Sequence, residues 1–155
     1  MRSFLLIAVL ACAPLANARA QDAESKAVQA VVQKLFDGMR ARDTATMRAL
    51  FIPQARMLRR TAQGTVNSDS IDGWLSGIGR AAAGVVYDER TWAHEVSVDG
   101  EIAQAWMQYA FYAGPALNHC GVDAFDLIKV GDAWKIVSVM DTSRRTGCTP
   151  PPGKP

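Results

Sequence analysis

Histidine and cysteine are scarce in this 155-residue chain, with two of the first and three of the second. His94 and His119 lie far apart in sequence and no Cys-x-x-Cys pair is present, so no metal centre is expected. The chain also lacks a Gly-x-Ser-x-Gly elbow, a phosphate-cradling P-loop and a His-Glu-x-x-His helix. Gly77-Ile78-Gly79 is followed by Ala82 where a dinucleotide loop carries glycine, and it ends a helical stretch, so no cofactor is expected. An excess of charge is missing too. Lys and Arg number 17 against 15 Asp and Glu, and the first 20 residues carry Arg2 and Arg19 but no acid, so without them the charges balance. A neutral chain with no basic run longer than two residues lacks the field on which non-specific nucleic-acid binding rests. The apolar run from Phe4 to Leu15 is shorter than the roughly 20 residues a membrane-spanning helix needs.

That run nevertheless has a reading. Met1-Arg2 is a short basic start, Phe4 to Leu15 an apolar core, and Ala18-Arg19-Ala20 a small-x-small cleavage pattern before Gln21. Residues 1–20 are therefore read as a signal peptide and the protein as periplasmic or secreted. A rival reading takes Val9-Leu10-Ala11-Cys12 as a lipoprotein site with Cys12 lipidated. With Cys12 removed, only Cys120 and Cys148 are left, an even count in an oxidising compartment, and they are expected to form one disulfide.

From Ala23 to Arg42 the residues Ala27, Val28, Val31, Val32, Leu35, Phe36 and Met39 recur at three- and four-residue intervals, one stripe of a helix capped by Asp22 or Ser25. Asp43 opens a second helix carrying Met47, Leu50 and Phe51, which Pro53 ends at about Ile52. A third, on Ile71, Trp74, Leu75 and Ile78, starts after Ser68 or Asp69 and is weakened by Gly77, Gly79 and Gly84. Beyond Gly84 the chain turns to long segments rich in Val, Ile and aromatics, punctuated by Asp99-Gly100, Gly114-Pro115 and Gly131-Asp132. Strands are expected at 85–98, 101–112, 121–130 and 133–141, with a short one over Arg56 to Arg60. One domain over residues 22–148 follows, with a Pro-rich tail at 149–155. Its class is α+β: three N-terminal helices packed on a curved antiparallel sheet.

The order of elements resembles the cone-shaped nuclear transport factor 2-like superfamily, also called SnoaL-like or ketosteroid-isomerase-like. Ala41-Arg42-Asp43 through Ala49-Leu50-Phe51 is similar to that family's break between its first helices, and Ala55-Arg56-Met57-Leu58 to its first strand. Trp106, Tyr109, Phe111-Tyr112, His119 through Phe125, Trp134-Lys135-Ile136 and Asp141-Thr142 resemble an exported branch labelled "putative lumazine-binding". The resemblance implies a cone with an internal pocket. It implies little about chemistry, because the fold hosts isomerases, cyclases, dehydratases and non-catalytic binding domains. Ketosteroid isomerases place a catalytic Asp soon after the first strand starts, whereas Arg56-Met57-Leu58-Arg59-Arg60 holds no carboxylate.

Hairpin counting supplies candidate pocket residues. A two-residue turn at Gly131-Asp132 sets Leu127 opposite Ile136, Phe125 opposite Ser138, Asp123 opposite Met140 and Cys120 opposite Ser143. His119, Asp123, Phe125 and Leu127 then share the apolar face that looks into the cone. Pairing Tyr112 with His119 across the preceding loop adds Trp106, Gln108 and Tyr112, while a slip of one residue substitutes Met107, Tyr109 and Phe111. Trp106, Tyr109, Tyr112, His119 and Asp123 are thus the candidate ligand-binding residues, and Asp123 and His119 the candidates for a general base. Asp141 reads either as entering the cone mouth or, the favoured role, as a structural partner of Arg144 or Arg145. Arg56, Arg59 and Arg60 read as an anion-binding group or, the favoured role, as a solvated face. The expected partner is a small molecule, aromatic in part, held without turnover. The alternatives are an isomerase, dehydratase or hydrolase, or a homodimer paired through the outer sheet face.

Overall fold

The computed structural model describes residues 13–149 and 151. The basic start, most of the apolar run, Cys12 and most of the proline tail lie outside the described residues. The first helix, α1, spans Ala13–Ala41 and runs unbroken through the expected cleavage position after Ala20. Its apolar stripe behaves as the spacing predicts: Val28, Val32, Leu35, Phe36 and Met39 are all buried. Glu24 ties it to the sheet, accepting hydrogen bonds from Lys129 Nζ at 2.6 Å and Trp134 Nε1 at 2.8 Å.

Helix α2 covers Thr44–Ala49, capped by Asp43, whose carboxylate accepts from the Thr46 amide at 2.9 Å. It lies hard against α1 at Gly38, where an added Cβ would meet Met47 Cγ at 2.6 Å. The helix stops short of Leu50 and Phe51, which the apolar pattern places on it. Strand β1 starts there and spans Phe51–Thr61, well beyond the five residues anticipated. Pro53 sits inside this strand rather than ending a helix. It is tolerated because the pairing of β1 with its neighbour is interrupted between Phe51 and Arg56, so the missing N–H deprives no ladder position of a bond.

A second strand, β2 over Val66–Ser70, has no apolar alternation and every residue exposed, which is why its sequence gives no strand signal. Helix α3 spans Ile71–Gly79, capped by Ser70 rather than by Ser68 or Asp69, and buries Ile71, Leu75 and Ile78. Strands β3 (Tyr87–Asp99), β4 (Ile102–Ala113), β5 (Ala116–Val130) and β6 (Ala133–Ser143) complete one six-stranded sheet in the order β2-β1-β6-β5-β4-β3. The sheet is not purely antiparallel: β1 runs parallel to β6. β1 reaches that edge from the helical layer and not from a hairpin, so either direction was open to it.

The helices close one face of the curved sheet. α1 and α3 meet the inward residues Ala103, Ala105, Met107, Phe125, Leu127, Ile136 and Val139 in a single core. Cys120 and Cys148 are joined in a disulfide, their Cα atoms 5.7 Å apart. Among the described residues no helix is long and apolar enough to cross a membrane.

Candidate functional site

Register decides which side chains enter the cone. β5 begins at Ala116, so the β4–β5 connection is the tight pair Gly114-Pro115 and not a long loop. That turn alone would set Phe111 opposite Asn118, but a bulge between Phe111 and Tyr112 in the pairing sets Phe111 opposite His119, Met107 opposite Asp123 and Ala105 opposite Phe125. This is the slipped alternative, and it corrects two expected pocket residues. Trp106 faces outward and is 51% exposed. Tyr112 lies on the outer side beneath Arg90, whose guanidinium carbon is 4.2 Å from the ring centre. In the β5–β6 hairpin Leu127 does face Ile136, but a bulge between Asp126 and Leu127 then shifts the partners by one. Asp123 faces Asp141, Phe125 faces Val139, and Cys120 bridges Arg144 instead of Ser143.

Tyr109, His119 and Asp123 are inside, as expected, with buried side chains. Tyr109 is structural: its hydroxyl donates to the Thr142 carbonyl at 2.8 Å, and burial holds its pKa far above the usual tyrosine range. This contact needs Gly121, since a Cβ there would lie 1.8 Å from the same carbonyl oxygen and 2.8 Å from the Tyr109 ring.

A cavity of about 550 Å³ opens at the wide end of the cone. Trp74 of α3, Tyr87 of β3 and Phe111 of β4 wall it, with Glu89, Arg59 and His119 as polar lining. The Tyr87, Phe111 and His119 rings form a continuous row of tilted contacts, with centroids 5.3 Å and 4.9 Å apart. Behind the mouth lies an inner chamber of about 30 Å³, bordered by Glu89, Asp123, Asp141 and Arg59. That is room enough for a single water.

The polar groups here are arranged against their usual habits. Asp123 and Glu89 share a side-chain hydrogen bond, which requires a proton on one of two carboxyl groups. Burial, followed by the Glu89 charge and hydrogen bond, holds Asp123 well above the ordinary aspartate range. Burial also raises the Glu89 carboxyl to about 7, although its hydrogen bond to Asp123 opposes the rise. The Glu89 residue is half-buried and lines both the mouth cavity and the inner chamber. Apart from that carboxyl, Asp123 Oδ2 meets no hydrogen-bond partner among the described residues.

Asp141 is held by Arg59, whose Nε lies 2.9 Å and 2.7 Å from the two carboxylate oxygens. Arg144 and Arg145 are not its partners. Arg59 is not part of a solvated face either: β1 alternation turns it inward from the parallel neighbour β6, and the two side chains meet directly. His119 is 9% exposed, and burial lowers its pKa to about 4, with Arg59 adding to the effect. Its Nδ1 is 2.9 Å from Asn118 Oδ1, so Nδ1 carries the proton and Nε2 is an acceptor, one with no partner among the described residues.

Glu89 escaped the sequence reading, which puts Arg59 on the wrong face. The signal for Glu89 lay in the alternation Tyr87-Asp88-Glu89-Arg90, which turns Tyr87 and Glu89 to one face once Glu89 pairs with Phe111. Among the described residues no group of three or more His, Cys, Asp or Glu is placed to hold a metal ion.

A helix-backed, curved open sheet with a one-ended pocket defines the nuclear transport factor 2-like class. Within it, the chain belongs to the family described as putative lumazine-binding, whose model matches residues 23–140. Solved structures agree on the fold. A nuclear transport factor 2-like protein of unknown function from Shewanella baltica is 21% identical, with a TM-score of 0.66 over 81% of this chain and 97% of that one. A putative dehydratase of the same class from Streptomyces avermitilis is 16% identical, with a TM-score of 0.64 over 81% and 99%. A protein with a cystatin-like fold from Novosphingobium aromaticivorans is 11% identical, with a TM-score of 0.67 over 90% and 94%. At these identities the likeness is one of fold. No curated protein matches the chain in sequence.

Proposed function

We propose that this protein is exported and binds a small ring compound in the mouth of its cone. One observation carries the reading: a cavity of about 550 Å³ has aromatic walls, Trp74, Tyr87 and Phe111, beside the Glu89 side chain and His119, whose Nε2 has no partner among the described residues. Buried polar atoms without partners are costly, and a ligand that supplies them offsets that cost. The family's description supports the size and shape, since lumazine is a planar two-ring heterocycle. Tyr109 and Asp123 support the site from behind, and Trp106 and Tyr112 are set aside. Export rests on the N-terminal pattern and on the Cys120–Cys148 disulfide, which suits an oxidising compartment.

The test is a thermal-shift and calorimetric titration of exported protein with lumazine and a panel of planar heterocycles. Saturable binding that raises Tm, and is weakened at least tenfold by Trp74→Ala, is expected. No saturable binding at millimolar concentration by any member would end the reading.

A second reading, acid–base catalysis, is favoured by Glu89, which titrates near neutrality beside the cavity as a general base does. Turnover of any ligand found, abolished by Glu89→Gln with binding retained, would establish it. Pairing of two copies through the outer sheet face is supported by the exposed Trp106, Met140 and Ile128, and sedimentation of the purified protein tests it.

A further inference from the structure

Two carboxyl groups in contact are an unusual wall for a binding cavity, and their positions are not equivalent. Glu89 borders both the mouth cavity and the inner chamber, whereas Asp123, 3% exposed, borders the chamber behind it. A ligand in the mouth meets Glu89 and not Asp123. We propose that Glu89 reads the ligand, presenting a hydrogen-bond donor or an acceptor as its proton is held or lost, with Asp123 as the sealed partner that keeps either form satisfied. This rests on the binding reading above and adds to it a rule for which ring compounds the site takes.

When both carboxyls are protonated, Glu89 offers an O–H to the cavity and suits a ring bearing a bare nitrogen or carbonyl. When Glu89 is ionised, the Asp123 O–H donates to it from behind, and its free lone pairs suit a ring that brings an N–H or O–H. The groups around the pair set where this exchange happens. Burial favours the neutral form of Glu89, and the charges of Asp141 on β6 and Asp88 on β3 act in the same direction. Arg59 on β1 opposes them, as does the hydrogen bond from Asp123. Arg40 of α1 touches the Glu89 carbonyl but pairs with Asp88. His119 on β5 is neutral at this pH, Tyr109 on β4 holds its proton, and Asp69 and Arg80 stand at the cavity with opposite charges. The changeover therefore falls at about 7.

Two planar two-ring probes separate the forms: quinoline, which only accepts, and indole, which donates through its N–H. Calorimetric affinities are measured at about pH 6 and about pH 8.5, on either side of the Glu89 value of about 7. In the unaltered protein quinoline is expected to lose about tenfold in affinity on going to the higher pH, with indole unchanged or tighter, the size set by one hydrogen bond to a buried group. Glu89→Gln has an amide that donates and accepts at every pH, so both probes bind and the pH dependence of their ratio disappears. Asp123→Asn puts an N–H where the protonated Asp123 puts its O–H, so it keeps a donor behind the ionised Glu89 and the quinoline-to-indole ratio still changes with pH. If Asp123→Asn fails to fold, Glu89→Gln alone decides. A quinoline-to-indole ratio that does not change with pH, or one that still changes in Glu89→Gln, overturns the proposal and leaves the binding reading standing. Failure of both probes and of the heterocycle panel overturns the two together.

Discussion

Strand β5 contains two different proteins' worth of chemistry in one stretch of backbone. Its second half sends Phe125 and Leu127 into the core beside Ile136 and Val139, where Phe125 packs edge-on against Phe36 at 6.1 Å. Its first half sends His119 and Asp123 onto the same face, toward Glu89, Asp141 and Arg59. Inward alternation is continuous through both halves, so the fold does not distinguish them; the helices do. α1 lies across the closed end and fills it, while the mouth is left to aromatic walls and a cavity of about 550 Å³. One end of the sheet is thus built for cohesion. The other holds ionisable groups in forms they do not take in water.

The contrast breaks most visibly at the closed end. Leu127→Ala is expected to cost about 2–5 kcal/mol in urea denaturation, the usual range for a truncated leucine in a sealed core. A loss under about 1 kcal/mol would mean that this end is not close-packed. Opening the disulfide comes next. Its cysteines are 28 residues apart, and replacing both by serine should remove about 3 kcal/mol by freeing the unfolded chain less constrained than before. Equal stability with and without reductant would show that the bridge contributes nothing.

At the mouth the sign reverses. Glu89 has a folded-state pKa of about 7 against an ordinary 4.5, so the folded state binds more protons between those values and stability is lost as pH rises through that window. Glu89→Gln should therefore be more stable than the unaltered protein at about pH 8 by about 1–3 kcal/mol, with the difference shrinking toward pH 5. His119 works in the opposite sense: its pKa falls from 6.5 to about 4, so stability is lost as pH falls through that range. Melting curves of Glu89→Gln and His119→Phe across pH 4 to 8 separate the two, and parallel curves for all three proteins would sink the account. The smallest effect belongs to the outer face. Trp106→Ser should change stability by about 0.5 kcal/mol or less, because half of that side chain is already in water. A larger change that depends on protein concentration would point to a partner copy on this face.

How much of this was legible beforehand differs from element to element. The stripe of α1, the cap at Asp43 and the turn at Gly131-Asp132 are local facts, carried by helical spacing, a side-chain acceptor and glycine, and the structure has them where the residues say, while the turn expected at Asp99-Gly100 falls one residue on, at Gly100-Glu101. The inward placement of Asp123 and His119 was also local, since alternation along one strand needs no partner. The structure turns Trp106 and Tyr112 outward because the β4–β5 register is set by a two-residue turn together with a bulge between Phe111 and Tyr112, and no local pattern marks that bulge. Pro115 and Asn118 look like loop residues, yet β5 starts between them.

The sequence by itself determined the α+β class, the order of the elements other than β2 and which residues are candidates for burial, because period, capping and turn chemistry act over a few residues. Only the tertiary structure decided that Glu89 touches Asp123 and that Arg59 meets Asp141. Those pairs join strands 34 and 82 residues apart in the chain. Their contact follows from the register of β4, from a bulge before Leu127 and from the parallel seating of β1 beside β6. A one-residue change in any of these turns a side chain to the other face, and no local pattern carries that information.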